Sequence, residues 1–181
     1  MKHSAIRIPL ALFAIALASA SHAQSGEITF NGQVTSVTCE VSFNGVVGDN
    51  PTIILPTVAA SSLRMGESGG LTPVVMHVNG ADPQCSSGTV SVVLNATRAA
   101  NLRNGRLINT GPGIGGGTNV AVALRDRQDQ PIDLTGGVIL TGTPAVGGGV
   151  DIHFSSEYYA DVNDGMPGIF RAPLGYTLTY R

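Results

Sequence analysis

Apolar and polar residues alternate with a period of two at the C-terminal end of the chain, where Phe170, Ala172, Leu174, Tyr176, Leu178 and Tyr180 interleave with Arg171, Pro173, Gly175, Thr177 and Thr179. Successive side chains of a strand point to opposite faces. The pattern therefore predicts one amphipathic strand from Gly168 to Arg181 whose even positions bury against a core. No residue follows Arg181 to supply a further strand, so the pattern leaves open what pairs with that edge.

The same period recurs upstream. Ile28, Phe30, Gly32, Val34 and Ser36 alternate with Glu27, Thr29, Asn31, Gln33 and Thr35, which predicts a first strand ahead of Cys39. Cys39 to Phe43 continues extended, Asn44 to Pro51 is rich in turn residues, and Thr52 to Leu55 is a short apolar run ended by Pro56. Val58 to Leu63 fits a brief strand or a single helical turn. Further strands are predicted over Leu71 to Val78, Thr89 to Asn95, Leu102 to Ile108 around Asn104-Gly105, Val120 to Leu124, Ile132 to Leu134, Val138 to Leu140 and Val150 to Tyr159. About nine or ten short strands separated by turn signals describe an all-β fold, a sandwich of immunoglobulin-like type.

Composition agrees with this reading. The chain holds 24 Gly and 10 Pro, and it lacks the Glu-, Lys- and Ala-rich blocks that sustain long helices. Residues 1–23 read as an export signal, with Lys2 and Arg7 ahead of an apolar run from Ile8 to Leu17 and a small-x-small cleavage site at Ser21-His22-Ala23. That run is shorter than a membrane span requires, so the expected product is a soluble protein outside the cytoplasm beginning near Gln24. The net charge of −2 contains no basic cluster, and removal of Lys2 and Arg7 makes the exported part more acidic, which argues against nucleic acid as a partner. The two cysteines, Cys39 and Cys85, both lie in the exported part, where an even count favours one bridge. Closing a loop of roughly 47 residues contributes about 4 kcal/mol in chain-entropy terms.

Motifs with chemical associations fail on context. Gly66-Glu67-Ser68-Gly69-Gly70 has the spacing of a hydrolase nucleophile elbow, but a strand is predicted after it where that motif needs a helix. Gly111-Pro112-Gly113-Ile114-Gly115-Gly116 has the dinucleotide spacing with Asp133 downstream, yet period-two sequence follows it, so it reads as a loop between strands. His77 and His153 have no neighbour at metal-ligand spacing and read as sheet residues. Asp161, Asn163 and Asp164 before Gly165 lack the rest of a calcium loop and read as a turn. Asn95-Ala96-Thr97 is a formal sequon at a strand end. No catalytic residue, metal or cofactor is expected.

The first and last strands remain. Pairing them with each other closes an ordinary monomer, such as a secreted sugar-binding β-sandwich. Two features favour a different arrangement: the first strand precedes the point anchored by Cys39, and Gly32 interrupts its apolar face as close approach by another group requires.

Taken together, the residues resemble the type 1-like fimbrial subunits, the pilins of the bacterial chaperone/usher pathway. The resemblance rests on Ile28-Thr29-Phe30-Asn31-Gly32-Gln33-Val34 ahead of Cys39, on Cys39 with Cys85, on Asn119 to Arg127, on Ile152-His153-Phe154 running into Glu157-Tyr158-Tyr159, and on Pro167-Gly168 ahead of the penultimate Tyr180. It implies an incomplete immunoglobulin-like sandwich over residues 39–181 that lacks its last strand, with residues 24–38 as a donor-strand extension. On that basis Ile28, Phe30, Gly32 and Val34 insert into a neighbouring subunit. Gly168, Phe170, Leu174, Tyr176, Leu178 and Tyr180 mark the edge strand that receives them and that a periplasmic chaperone grips first. The implied partners are identical or related pilins, the chaperone and an outer-membrane usher, and the implied location is a cell-surface fimbrium reached through the periplasm. The resemblance leaves open whether the subunit is the major rod subunit or a minor adaptor.

Overall fold

The computed structural model describes residues 39–86, 89–96, 101–111 and 117–181. The predicted leader, residues 1–23, and the predicted donor positions Ile28, Phe30, Gly32 and Val34 lie outside the described residues. One compact unit runs from Thr35 to Arg181.

Its strands are β1 (Glu40–Phe43), β2 (Val46–Val47), β3 (Ser68–Asn79), β4 (Val90–Ala96), β5 (Leu102–Arg103), β6 (Arg106–Ile108), β7 (Ala121–Asp126), β8 (Pro131–Ile132), β9 (Val138–Thr141), β10 (Thr143–Pro144), β11 (Val150–Tyr159) and β12 (Leu174–Tyr180). Single helical turns occupy Ala60–Ser62, Pro83–Ser86 and Leu134–Gly136. Two hairpins turn on Asn-Gly pairs. Asn44-Gly45 (φ 48° and 82°) joins β1 to β2 and Asn104-Gly105 (φ 51° and 72°) joins β5 to β6, which is the positive-φ requirement of a type I′ turn.

The strands form two sheets. The larger runs β2-β1-β3-β11-β7-β6-β5, with β10 added on β11 and β8 on β7; the smaller runs β12-β4-β9. Val74, Met76, Val78, Val122, Leu124, Val150, Ile152 and Phe154 face inward from the large sheet and meet Val90, Val92 and Leu94 from the small one in a single core. This is an immunoglobulin-like β-sandwich whose core positions follow the period-two pattern of each strand.

Pro73 sits inside β3, a position normally hostile to proline. β11 pairs it on one side, while β1 reaches only Met76 to Asn79 on the other. The Asn44 side chain bonds the Pro73 carbonyl at 3.2 Å, so the missing N–H lies on a side where no strand needs it.

The predicted C-terminal strand is shorter as a ladder than its alternation suggested. Pairing with β4 begins at Leu174, because Pro173 has no N–H to give and the preceding stretch is engaged elsewhere. Thr110 N–H donates to the Arg171 carbonyl at 2.8 Å, and Asn109 holds both the Ile169 carbonyl and the Arg171 N–H. The burial alternation holds from Phe170 to Tyr180 except at Gly175, which is half-buried like its neighbours. Val58 to Leu63 resolves into the turn Ala60–Ser62, and Ile132 to Leu134 divides between β8 and the turn Leu134–Gly136, which the Asp133 carboxylate caps through Thr135 N–H. Ser68 opens a strand rather than a helix, and Gly117 leads into β7, so neither glycine motif has the helix its chemistry requires.

Candidate functional site

β4 and β12 run side by side and send Val90 and Tyr180, Val92 and Leu178, and Leu94 and Tyr176 as direct pairs into the same core face. The β4 members are 0, 0 and 2% exposed. Their β12 partners are only half-buried, as are Leu174, Ala172 and Phe170 before them. β4 has a neighbour on both sides, whereas β12 has one among the described strands. The exposure on β12 is thus the exposure of an unpaired edge whose apolar row is covered from below and open at the side. The other edge of this sheet, β9, is four residues long against the seven of β12.

A second extended segment packs on the core, with Ile53, Leu55 and Val58 half-buried and Thr52, Ile54 and Thr57 exposed. The alternation makes it strand-like, but among the described residues no main-chain hydrogen bond involves residues 51–58. The row on β12 and Ile53 and Leu55 of this segment form two apolar walls on the same core, the first extending roughly 34 Å from Phe170 to Tyr180 at strand rise. Main chain without a partner among the described residues, beside a row of apolar side chains, is what an added strand needs, since the first gives hydrogen bonds and the second gives register.

Aromatic side chains organise the two walls. Tyr176 packs edge-on against Phe43 with centroids 5.4 Å apart and donates its hydroxyl to the Asp49 carbonyl at 2.9 Å, so it reaches from one wall to the other. Phe170 packs edge-on against Tyr158 at 6.0 Å at one end. Tyr158 shares the inward parity of Ile152 and Phe154 along β11, and beside it a register shift sets two β3 residues, Gly70 and Leu71, opposite the single residue Glu157. Gly70, at φ +73°, makes room there: a Cβ would lie 3.1 Å from both Tyr158 and Val58. Burial pushes the phenols of Tyr158, Tyr176 and Tyr180 above their ordinary range.

Cys39 and Cys85 form a disulfide with Cα atoms 5.6 Å apart, and Cys85 is fully buried. The bridge ties the start of β1 to the turn Pro83–Ser86, so the described part of the chain begins at a fixed point of the body. Of the predicted edge residues, Phe170, Leu174, Tyr176, Leu178 and Tyr180 line one wall; Gly168 lies outside the ladder in an exposed bend before it. Sequence reasoning missed the second wall, the crossing Tyr176 hydroxyl and the contribution of Tyr158. The alternation of Ile53 with Leu55 was a local signal, but its place opposite β12 was not.

The family profile described as "Fimbrial protein" matches residues 28–181. The chain belongs to the fimbrial protein family. It is 32% identical over 169 residues to the major fimbrial subunit SMF-1 of Stenotrophomonas maltophilia, covering 89% of this chain and 95% of that one. It is 29% identical to the F17 fimbrial protein of Escherichia coli, over 97% of this chain and 98% of that one. A chain from a solved chaperone-usher pilus shares its fold with a TM-score of 0.55 at 19% identity, covering 91% of this chain and all of that one.

The remaining polar clusters of this fimbrial protein are structural. His77 pairs across strands with Asp151 at 2.6 Å, and His153 lies in β11. Arg125 bonds the buried Glu157 at 2.6 Å, which raises the guanidinium pKa. Among the described residues no group of His, Cys, Asp and Glu has the arrangement of a metal site.

Proposed function

We propose that this fimbrial protein is a structural pilin that polymerises head to tail by donor-strand exchange, residues 24–38 of one subunit adding a strand beside β12 of the next. The observation that carries this reading is the half-buried row Leu174, Tyr176, Leu178 and Tyr180 beside the fully buried row of β4. Ile28, Phe30 and Val34 supply apolar side chains at alternate positions, and Gly32 leaves one position of that row without a side chain. Each bulky side chain that enters stabilises by roughly 1.5–3 kcal/mol. A strand in the groove also gives main-chain partners to β12 and to residues 51–58.

Before assembly the bare groove is an aggregation hazard, which supports temporary occupancy by a periplasmic chaperone and delivery through an outer-membrane usher to a cell-surface fimbrium. Gly168 and Tyr180 bracket the edge that the chaperone holds. No catalytic step is part of this reading.

Deleting Gln24 to Ser36 tests it. The expected result is a subunit that keeps its fold when bound to chaperone but forms no fibres; undiminished polymerisation by the truncated subunit overturns the donor-strand assignment. The rival, a secreted sugar-binding monomer, predicts a stable single chain when the full protein is expressed without a chaperone.

A further inference from the structure

We propose that Asn109 is a positioning residue for the open edge of β12, holding the chain so that this edge continues past the end of β4 to Ala172 and Phe170. The role rests on the donor-strand reading and sets how far along the subunit the accepted strand is paired.

The ladder itself shows where the main-chain groups of β12 point. Thr89 and Arg181 exchange both bonds, Thr89 N–H to the Arg181 carbonyl at 2.9 Å and Arg181 N–H to the Thr89 carbonyl at 3.0 Å. Bonded pairs recur at every second residue of an antiparallel ladder, so Thr179, Thr177 and Gly175 also bond β4, opposite Ser91, Val93 and Asn95. On the far side of β4, Gly142 N–H donates to the Val90 carbonyl at 2.8 Å, as that parity requires. The N–H and C=O groups of Leu174, Tyr176, Leu178 and Tyr180 therefore face the open edge, on the same residues whose side chains form the half-buried row.

β4 ends at Ala96, and Pro173, the next residue of the bonded parity, has no N–H. That loss falls on the β4 side and costs the open edge nothing. Beyond it the Asn109 amide stands in for β4. Its Oδ1 accepts from Arg171 N–H at 3.0 Å and from Gly111 N–H at 3.1 Å. Its Nδ2 donates to the Ile169 carbonyl at 2.8 Å and to the Thr118 carbonyl at 3.2 Å. Thr110 N–H adds a bond to the Arg171 carbonyl at 2.8 Å.

Ile169 and Arg171 are thus bonded on one side, and exposed and half-buried residues alternate from Ile169 to Leu174. Phe170 and Ala172 lie between those bonded residues with the parity of Leu174, so their main-chain groups face the open edge as well. Among the described residues neither takes part in a main-chain hydrogen bond. The space around the amide leaves no room for larger neighbours: a Cβ on Gly117 would lie 2.7 Å from Asn109 Nδ2, and one on Gly111 3.2 Å from Oδ1.

The test is hydrogen exchange at single amides of the exported chain bound to a synthetic peptide of residues 24–38. In the wild type the peptide is expected to slow exchange at Phe170 and Ala172 as well as at Leu174, Tyr176, Leu178 and Tyr180, each by at least about tenfold. In Asn109→Ala the protection of Phe170 and Ala172 is expected to be lost and that from Leu174 to Tyr180 kept, whereas a general loss of stability lowers all of them together. Gly117→Ala, which crowds the amide without removing it, gives the same split. Wild-type protection confined to Leu174 to Tyr180 overturns the extended edge. Protection of Phe170 and Ala172 that survives both variants, or a uniform loss in both, overturns the role of Asn109. A peptide that protects none of these amides in the wild type instead overturns the donor-strand reading.

Discussion

The Tyr176 hydroxyl donates to the Asp49 carbonyl at 2.9 Å across the groove, while its ring packs on Phe43. One side chain thus fixes the spacing between an edge strand and a segment that shares no main-chain hydrogen bond with it. Tyr176→Phe keeps the ring and removes the bond, so a loss of about 0.5–1.5 kcal/mol is expected in denaturant unfolding of the subunit. Tyr176→Ala removes the ring as well, and a loss of roughly 3 kcal/mol is expected. Equal effects for the two variants would show that the hydroxyl, and not the ring, holds the walls.

Under the proposed donor-strand exchange, Phe30→Asp places a carboxylate against the apolar side chains of the receiving subunit. Burial of an unpaired charge is costly enough that polymerisation should fall at least tenfold, while the same subunit should still accept wild-type extensions in its own groove. Mixed assembly of the variant with wild-type protein, followed by electron microscopy, separates the two roles.

Asp161 has a side chain only 2% exposed and depends on Arg103, whose pKa its hydrogen bonds raise. Arg103→Ala leaves that carboxylate buried without its cation, and a loss of about 3 kcal/mol is expected in thermal unfolding. Arg103→Ala with Asp161→Asn should recover part of it.

Burial raises the phenol pKa values of Tyr158, Tyr176 and Tyr180 above 10.0. A raised pKa means the folded state holds the proton more tightly than the unfolded chain. The contribution is complete below the unfolded tyrosine value, near 10, and is lost as pH rises through the folded values. Melting temperature should therefore be flat in this respect up to about pH 9 and fall above pH 10. Tyr180→Phe should flatten the fall.

The period-two pattern determined much of this protein: each strand of the core was placed within a few residues, as was the inward face from Phe170 to Tyr180. Local chemistry determined the two Asn-Gly hairpins, because those dipeptides tolerate the positive φ that the turns require. The pattern also marked β12 as a strand with one inward face. It did not bound the ladder, since the hydrogen bonds of Ile169 and Arg171 go to Asn109 and Thr110, about 60 residues away. Nor did it identify the second wall. Ile53 and Leu55 alternate like any short strand, and only the folded chain brings them onto the same core as β12, with no main-chain partner among the described residues. Asp161 and Asp164 read as turn residues because their partners, Arg103 and the Met65 N–H, lie 58 and 99 positions away. A strand's inward face is written in its own alternation. Which edge stays open, and what lies across from it, depends on contacts between distant segments, and those exist only after the sheets have packed.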